Sequence, residues 1–403
     1  MSDSKNWFNK RDVFLMHDGQ EKELNDIRIN DTLMSPTGNP ITITDIIEKN
    51  KNYLFVQPVK GENYVITPDS WLTLKVSMAP GYYESKTNAY ILCWLQEFKY
   101  MSKIFSVYKY GTKAKALKAV KLHMKNVLDK DPKCSQYGDI VTIKAGDYQA
   151  LPNKVKRLYK GYSSGIEFDD EVEFDTFAYA LGYWLGDGTS ANTGITTADP
   201  EIVAYYKKFA EDIGNVFNKI GKDKYAYRIS SGLQSNDAHG KNIFLNFLKD
   251  NNLIKNKHIP DQYKFDSREN RLSLLAGIID SDGHLGNGYF EITLKSKKLA
   301  DDTVFLARSL GFKAFCKQVQ KTCTNGKNGP VTGTYYRFNI YGEGLEQIPT
   351  LLKRKQAAKR QQIKNAAVTG LQLYKGDIKI PCYQLVTDSD EMLMLNDFTI
   401  VHK

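Results

Sequence analysis

Two acids stand out because of the residues in front of them. Asp282 closes the run Leu275-Ala276-Gly277-Ile278-Ile279-Asp280-Ser281-Asp282-Gly283. About 95 residues upstream, Asp187 closes a weaker copy, Ala180-Leu181-Gly182-Tyr183-Trp184-Leu185-Gly186-Asp187-Gly188. Carboxylates brought side by side repel unless a positive charge lies between them. A hard cation that takes oxygen ligands suits such a pair, which predicts Mg²⁺ at Asp187 and Asp282, with Mn²⁺ able to substitute. Asp280 is expected to cap or contact structure rather than catalyse.

The elements that must bring these acids together are the apolar runs. Strands favour β-branched residues and avoid interior glycine, whereas here Gly182, Gly186, Ala276 and Gly277 recur at near-helical spacing. Small residues let two helix backbones approach closely. Two packed helices with an acid at each tip are therefore predicted.

A chain of 403 residues exceeds one ordinary core and implies two or three domains. A formal charge of +10 with 25 tyrosines favours a polyanionic partner, nucleic acid first; on charge alone, a merely basic soluble protein is as good a reading. Five cysteines without a CxxC pair argue against a zinc cluster or disulfide framework and for reduced intracellular thiols. The polar start shows no signal peptide, and no stretch approaches the ~18 apolar residues of a membrane span. A soluble intracellular protein, in nucleus or cytoplasm, is expected.

Short strands separated by turns fill residues 12–76 and return near 382–386 and 398–401, which suggests one β domain holding a long insertion. Residues 86–133 carry eleven lysines against three acids. Strand-like Tyr90–Trp94, Ser102–Val107 and Tyr108–Gly111 precede an amphipathic helix from Thr112. After each apolar run the same elements recur. The first half reads strand 193–197, helix 200–213, strand 225–230 and helix 244–253. The second reads strand 289–294, helix 299–310, strands 312–319 and 335–341, and helix 345–354. This duplication implies a monomer with an internal pseudo-two-fold.

These features resemble the LAGLIDADG homing endonucleases, in the long two-motif class embedded in a Hint (intein-like) domain, to which the yeast vacuolar-ATPase intein and the mating-type-switching endonuclease belong. The implied fold class is α+β. It comprises a duplicated αββαββα core, an all-β Hint-like domain and a small basic insert that resembles ethylene-response-factor DNA-binding domains. The implied domains are 1–80 and 367–403 as the two parts of the Hint-like domain, 81–135 as the insert, and 136–170 as return strands and linker. Residues 171–268 and 269–366 are the two halves. Against the name-giving motif, Ile278 stands for Leu and Ser281 for Ala.

The implied activity is site-specific double-strand cleavage of DNA at a long asymmetric target. Asp187 and Asp282 would ligate metal, helped by carbonyls near Gly186 and Ser281. Lys257 matches the family's lysine before Ile-Pro; in the second half the choice lies between Lys355, favoured by symmetry, and Lys359. DNA contacts are expected from Lys99, Lys103, Lys109 and Lys113 of the insert. On the two sheets they are expected from Thr196, Arg228, Ser230, Glu291, Thr293, Lys295, Lys317 and Arg337.

Splicing in the Hint family needs a Cys or Ser nucleophile, a Thr-x-x-His motif and a terminal His-Asn. Here Trp7 aligns with the nucleophile, Ser70 replaces the block histidine and Lys403 replaces the asparagine; Thr67 and His402 match. A hydroxyl cannot move the imidazole's proton, and lysine has no amide to cyclise. Loss of self-splicing is expected. The other readings are a non-cleaving maturase or regulator on the same fold, and an active intein.

Overall fold

The computed structural model describes residues 6–78, 81–168, 175–233, 240–323, 331–359 and 365–403. They form two units. One comprises Met1–Ser164 with Val368–Lys403, the other Gly165–Ala367.

The first unit is built from short strands whose apolar residues alternate inward. Its two chain segments interleave. Pro40–Lys51 pairs with Thr32–Met34 on one side and with Ile380–Thr387 on the other. Leu54–Pro58 pairs with Tyr64–Ile66 and Leu371–Lys375. A third sheet runs Ile140–Lys144, Trp71–Val76, Tyr159–Tyr162, Val368–Thr369. Between Trp71–Val76 and Ile140–Lys144 the chain makes a separate small sheet. Ala89–Gln96 lies at its centre, with Lys99–Ser106 along one edge and Gly81–Glu84 and Cys134–Ser135 along the other. The helix Lys113–His123 covers one face. It starts at Thr112, whose hydroxyl accepts from Lys115 N. Tyr108–Gly111 is not a strand; Val107–Tyr110 is a helical turn closed by Gly111 at φ +81°.

The second unit is organised on two helices, Phe177–Asp187 and Arg268–Asp282. Residues 178 to 185 of the first helix are all buried, as a helix apolar on every side must be. The second starts at Ser267, whose hydroxyl accepts from Asn270 N. The first helix is followed by a three-stranded sheet of Gly194–Thr196, Ala226–Ser230 and Val216–Lys219, the last of which was not foreseen. After the second comes a four-stranded sheet in the order Gly283–Leu285, Phe290–Leu294, Val331–Tyr341, Lys313–Cys323. Helices Pro200–Asp212, Ile243–Asp250 and Lys297–Ser309 pack on this core.

The helix expected over 345–354 does not form. Leu345–Gln347 and Lys353–Lys355 are separate single turns. Pro349 lies between them and disfavours helical backbone at Ile348, which is extended at φ −72°, ψ 115°. Among the described residues no helix is long and apolar enough to cross a membrane. Cys93, Cys134, Cys316 and Cys382 are free thiols.

Candidate active site

The two apolar helices touch backbone to backbone. A Cβ placed on Gly182 would lie 2.1 Å from Leu274 O, and one on Gly277 would lie 2.3 Å from Tyr179 O. The contact continues to the tips. A Cβ on Gly186 would lie 2.0 Å from Ser281 Oγ and 2.7 Å from Asp282 Oδ2. Glycine at 186 thus makes room for the side chains of Ser281 and Asp282. Gly188 and Gly283 end the helices with extended backbone rather than a left-handed turn. They are small because Trp184 O and Ile279 O stand 2.2 and 2.7 Å from where a Cβ would go.

Asp187 and Asp282 therefore emerge together. Burial pushes the Asp187 carboxyl up, partly countered by the Tyr183 hydroxyl bonded to it and by the charges of Lys355 and Lys257. Asp282 is pushed up to about 6, first by the packing around it and then by the negative charge of Asp187. One edge of Asp282 remains open to water. Asp280 faces the other way and is 2% exposed. Its carboxylate accepts from Tyr179 Oη at 2.7 Å, Leu351 N at 2.6 Å and Leu352 N at 3.4 Å. It ties the segment after Pro349 to the helix, in keeping with a structural role.

Each helix end has an ammonium seated on it. Lys257 Nζ donates to Gly186 O at 3.0 Å and Gly188 O at 2.7 Å, and lies 5.0 Å from the Trp184 ring centre. Lys355 Nζ donates to Ile279 O at 2.9 Å, Asp280 O at 2.7 Å and Ser281 O at 3.2 Å. A cation at the last carbonyls of a helix satisfies orphan acceptors and opposes the helix dipole. Burial lowers Lys257 to about 8 against the pull of Asp282 and Asp187, and lowers Lys355 as well. An ammonium has three donors, so Lys355 is fully engaged and Lys257 has one left. Lys359 is exposed, four residues further on.

Residues 258–364 match the homing endonuclease family. That stretch contains the second helix, Asp282 and Lys355. A curated relative, the replicative DNA helicase DnaB of Mycobacterium intracellulare, is 33% identical over 142 residues, 35% of this chain. The chain spans about a fifth of that protein's length, 20%. Among solved structures, mesophilic variants of the homing endonuclease I-DmoI align over 41% of this chain and 82% of theirs, at 14% identity and TM-score 0.28. I-DmoI in complex with DNA and Mn aligns over 41% and 88%, at 14% identity and TM-score 0.27. The gp41-1 intein aligns over 25% and 74%, at 13% identity and TM-score 0.15.

The strand candidates fall on the sheet faces turned from the core. Thr196 pairs with Ala226, and Arg228 with Gly194, in the rows that alternate with those of buried Ile195 and Ile229; Ser230 shares that face. Glu291, Thr293, Lys317 and Arg337 lie opposite the face of buried Ile292 and Phe338, with Thr293, Arg337 and Lys317 in one cross-strand row. Arg337 Nε is 4.0 Å from Glu291 Oε1 and makes no hydrogen bond among the described residues. Lys295 is exposed just beyond its strand.

In the insert, Lys99, Lys103, Lys109 and Lys113 are exposed, but the sheet splits them from its open face. Lys103 lies over the Phe105 ring at 5.7 Å and Lys113 over Tyr83 at 4.1 Å, on the side that the helix covers. Alternation places Lys99 on that side too. The opposite face carries Tyr82, Tyr100 and Ile104, which are 55%, 47% and 65% exposed, beside buried Cys93 and Leu95. Counting charge does not reveal these three exposed side chains; strand alternation taken with the position of the helix does.

The residues expected at the splicing positions lie in the first unit. Ser70 Oγ accepts from Trp7 N and Thr67 N, both at 3.2 Å, and bonds Thr67 Oγ1 at 2.9 Å. Asn6 N donates to Lys403 O at 2.9 Å. The His402 ring lies 6.4 Å from Trp71, and Lys403 Nζ bonds Asp390 and Ser389 O. Ser70 and Thr67 are fully buried and bonded to each other.

Proposed function

We propose that the chain is a site-specific double-strand DNA endonuclease whose reaction centre is the pair of helix tips. The observation that carries this reading is the pairing of Asp187 and Asp282 on helices in backbone contact, each end held by a lysine ammonium. The donor set fits a divalent ion of the Mg²⁺ class. It consists of two carboxylates, plus the carbonyls of Gly186 and Ser281, each with a lone pair beyond its lysine bond. No group of three or more His, Cys, Asp or Glu able to hold a metal occurs among the described residues. Mg²⁺ commonly uses one or two carboxylates and takes its other ligands from water and phosphate. When bound, such an ion supplies Lewis acidity and activates water for phosphodiester hydrolysis.

The chain's own residues do the rest. Asp187 and Asp282 set the negative charge at the tips and fix its position through the glycine contact. Lys355, with every donor used, is a positioning residue that holds the carbonyls of 279 to 281. Lys257 keeps a donor free, and an amine near 8 can hold a proton at neutral pH and release it to a neighbouring oxygen. The two sheets read bases with Arg228, Arg337, Thr196 and Thr293 as principal candidates. Their different sizes suit an asymmetric target, in a monomer with an internal pseudo-two-fold.

The first unit reads as a Hint-like shell, of the vacuolar-ATPase and mating-type-switching kind, that has lost splicing. Ser70 is spent on bonds to Trp7 and Thr67 and offers no base. The test is selection of cut sequences from a random duplex pool with Mg²⁺ or Mn²⁺. Wild type should yield one long asymmetric site, and Asp282→Asn should shift that duplex in a gel without cutting it. A wild-type protein that shifts a preferred duplex but cuts nothing with either metal defeats the nuclease reading.

A further inference from the structure

One basic stretch of the first unit has no part in the chemistry above. The helical turn Asn153–Lys156 and the strand Tyr159–Tyr162 bring Lys156, Arg157 and Lys160 to one cavity of about 590 Å³, which is also lined by Gly370 and the strand Leu371–Lys375. Gln149, Gln372 and Tyr374 add amide and hydroxyl groups to the lining. None of the three cations enters an ion pair among the described residues. Lys156 Nζ is turned inward and donates to Gln149 O at 2.5 Å. Gly370 lies against the Lys160 ammonium: a Cβ there would stand in ordinary contact, 3.6 Å, from Lys160 Nζ and 3.3 Å from Val59 Cγ2.

Three like charges gathered without a counter-charge cost free energy that a bound anion recovers. The Lys160 ammonium is held below its ordinary value, by burial first and then by the neighbouring Arg157 guanidinium. Arginine offers a planar fork of donors that matches phosphate oxygens two at a time, and lysines add point charges beside it. The side-chain amides of Gln149 and Gln372 add N–H donors, the Gln372 amide being oriented by the Tyr374 hydroxyl that donates to its Oε1, and the open mouth admits a group carried on a larger molecule.

We infer that this cavity is a phosphate-binding site in which Arg157, Lys156 and Lys160 clamp a phosphate group. It lies wholly within the first unit and is independent of the metal-site reading. The same chemistry is offered by a backbone phosphate of a nucleic acid and by a free phosphorylated compound, and the experiment separates them.

The full chain is titrated with inorganic pyrophosphate by calorimetry, and with a labelled random-sequence duplex by fluorescence anisotropy across a salt series. Wild type, Arg157→Gln/Lys160→Gln, Arg157→Lys and the control Lys10→Gln are compared, with thermal melts to verify folding. Pyrophosphate binding should weaken at least tenfold in the double variant, weaken less in Arg157→Lys, which keeps the charge but loses the fork, and be kept in Lys10→Gln. If the site takes a DNA phosphate, the double variant also weakens duplex binding and lowers the salt slope by about 1 to 2, since each phosphate contact contributes ~0.9. An unchanged salt slope with lost pyrophosphate binding assigns the site to a free phosphate compound. A folded double variant that matches wild type in both pyrophosphate binding and salt slope overturns the inference, as does wild type that binds no pyrophosphate while all four proteins share one salt slope.

Discussion

Replacing Gly182 or Gly277 by alanine tests the backbone contact from which the reaction centre is built. Alanine normally stabilises a helix interior relative to glycine, by about 0.5–1 kcal/mol. Here the new methyl of Gly182→Ala would sit 2.1 Å from Leu274 O, where ordinary contact begins at 3.4 Å. Both groups are tied to helix backbone, so neither can rotate away, and the helices must part by about 1.3 Å. Overpacking of this kind costs ~1–3 kcal/mol. Parting the helices adds to that, because a gap of 0.5–1 Å already forfeits a quarter to a half of each contact's attraction. Net of the helix gain, about 2 kcal/mol of destabilisation is expected for either variant. In a unit of this size that is a fall in Tm of ~4–8 °C.

The measurement is urea unfolding followed by tryptophan fluorescence. Trp184 is fully buried, and the other tryptophans, Trp7, Trp71 and Trp94, lie in the first unit. The spread tips should also slow cleavage, on the order of 10²-fold for a displacement near 1 Å. A Gly182→Ala protein that gains 0.5–1 kcal/mol would show that the helices do not meet through backbone at this point, and the construction of the tip site would fail with it.

Three further outcomes follow from the same geometry. Asp280→Ala should destabilise by ~3 kcal/mol or more, because Tyr179 Oη and two backbone N–H groups lose their acceptor; Asp280→Asn should cost less and still bind DNA, and equal stability of all three proteins in urea would disprove the structural role. Asp282, raised from 3.8 to about 6, favours the folded state below pH 4 and loses that contribution as pH rises through 6. The rise corresponds to ~3 kcal/mol unscreened, nearer 1 kcal/mol with water on one side, so metal-free Asp282→Asn should gain stability over wild type between pH 4 and 7; no pH-dependent gap between the two would contradict the crowded acid pair. Tyr100→Ala with Ile104→Ala should impair discrimination among duplexes more than Lys103→Gln, which should mainly lower the salt slope of binding; the reverse order in competition assays would place the groove-facing surface on the helix side.

Much of the second unit is legible in the order of residues. A helix apolar on every side, with glycine where a partner backbone must pass, can be read from types and spacing alone, and so can an acid at each end. The lysines at 257 and 355 are visible as residues before Ile-Pro or by repeat spacing. What each ammonium touches is not visible, because its acceptors are carbonyls about 70 residues away that come within reach only once the helix ends are placed. That is why Lys355, with three carbonyls, and Lys257, with two, separate only in three dimensions. The helix expected over 345–354 fails for a local reason, Pro349, and for a distant one, since Leu351 N and Leu352 N are claimed by Asp280.

In the insert, composition located the basic segment but could not say which face of the sheet its lysines share. Lys99, Lys103 and Lys113 share one side, and only the helix packed over Phe105 decides that it is the covered one. The sequence by itself determined two buried helices of small residues ending in acids and a basic charge balance. Tertiary structure alone decided how close the helices come, which carbonyls the lysines hold, and that three cations of the first unit share one unpaired cavity. Propensity and spacing act along the chain, whereas desolvation, steric contact and charge pairing depend on neighbours that the fold supplies.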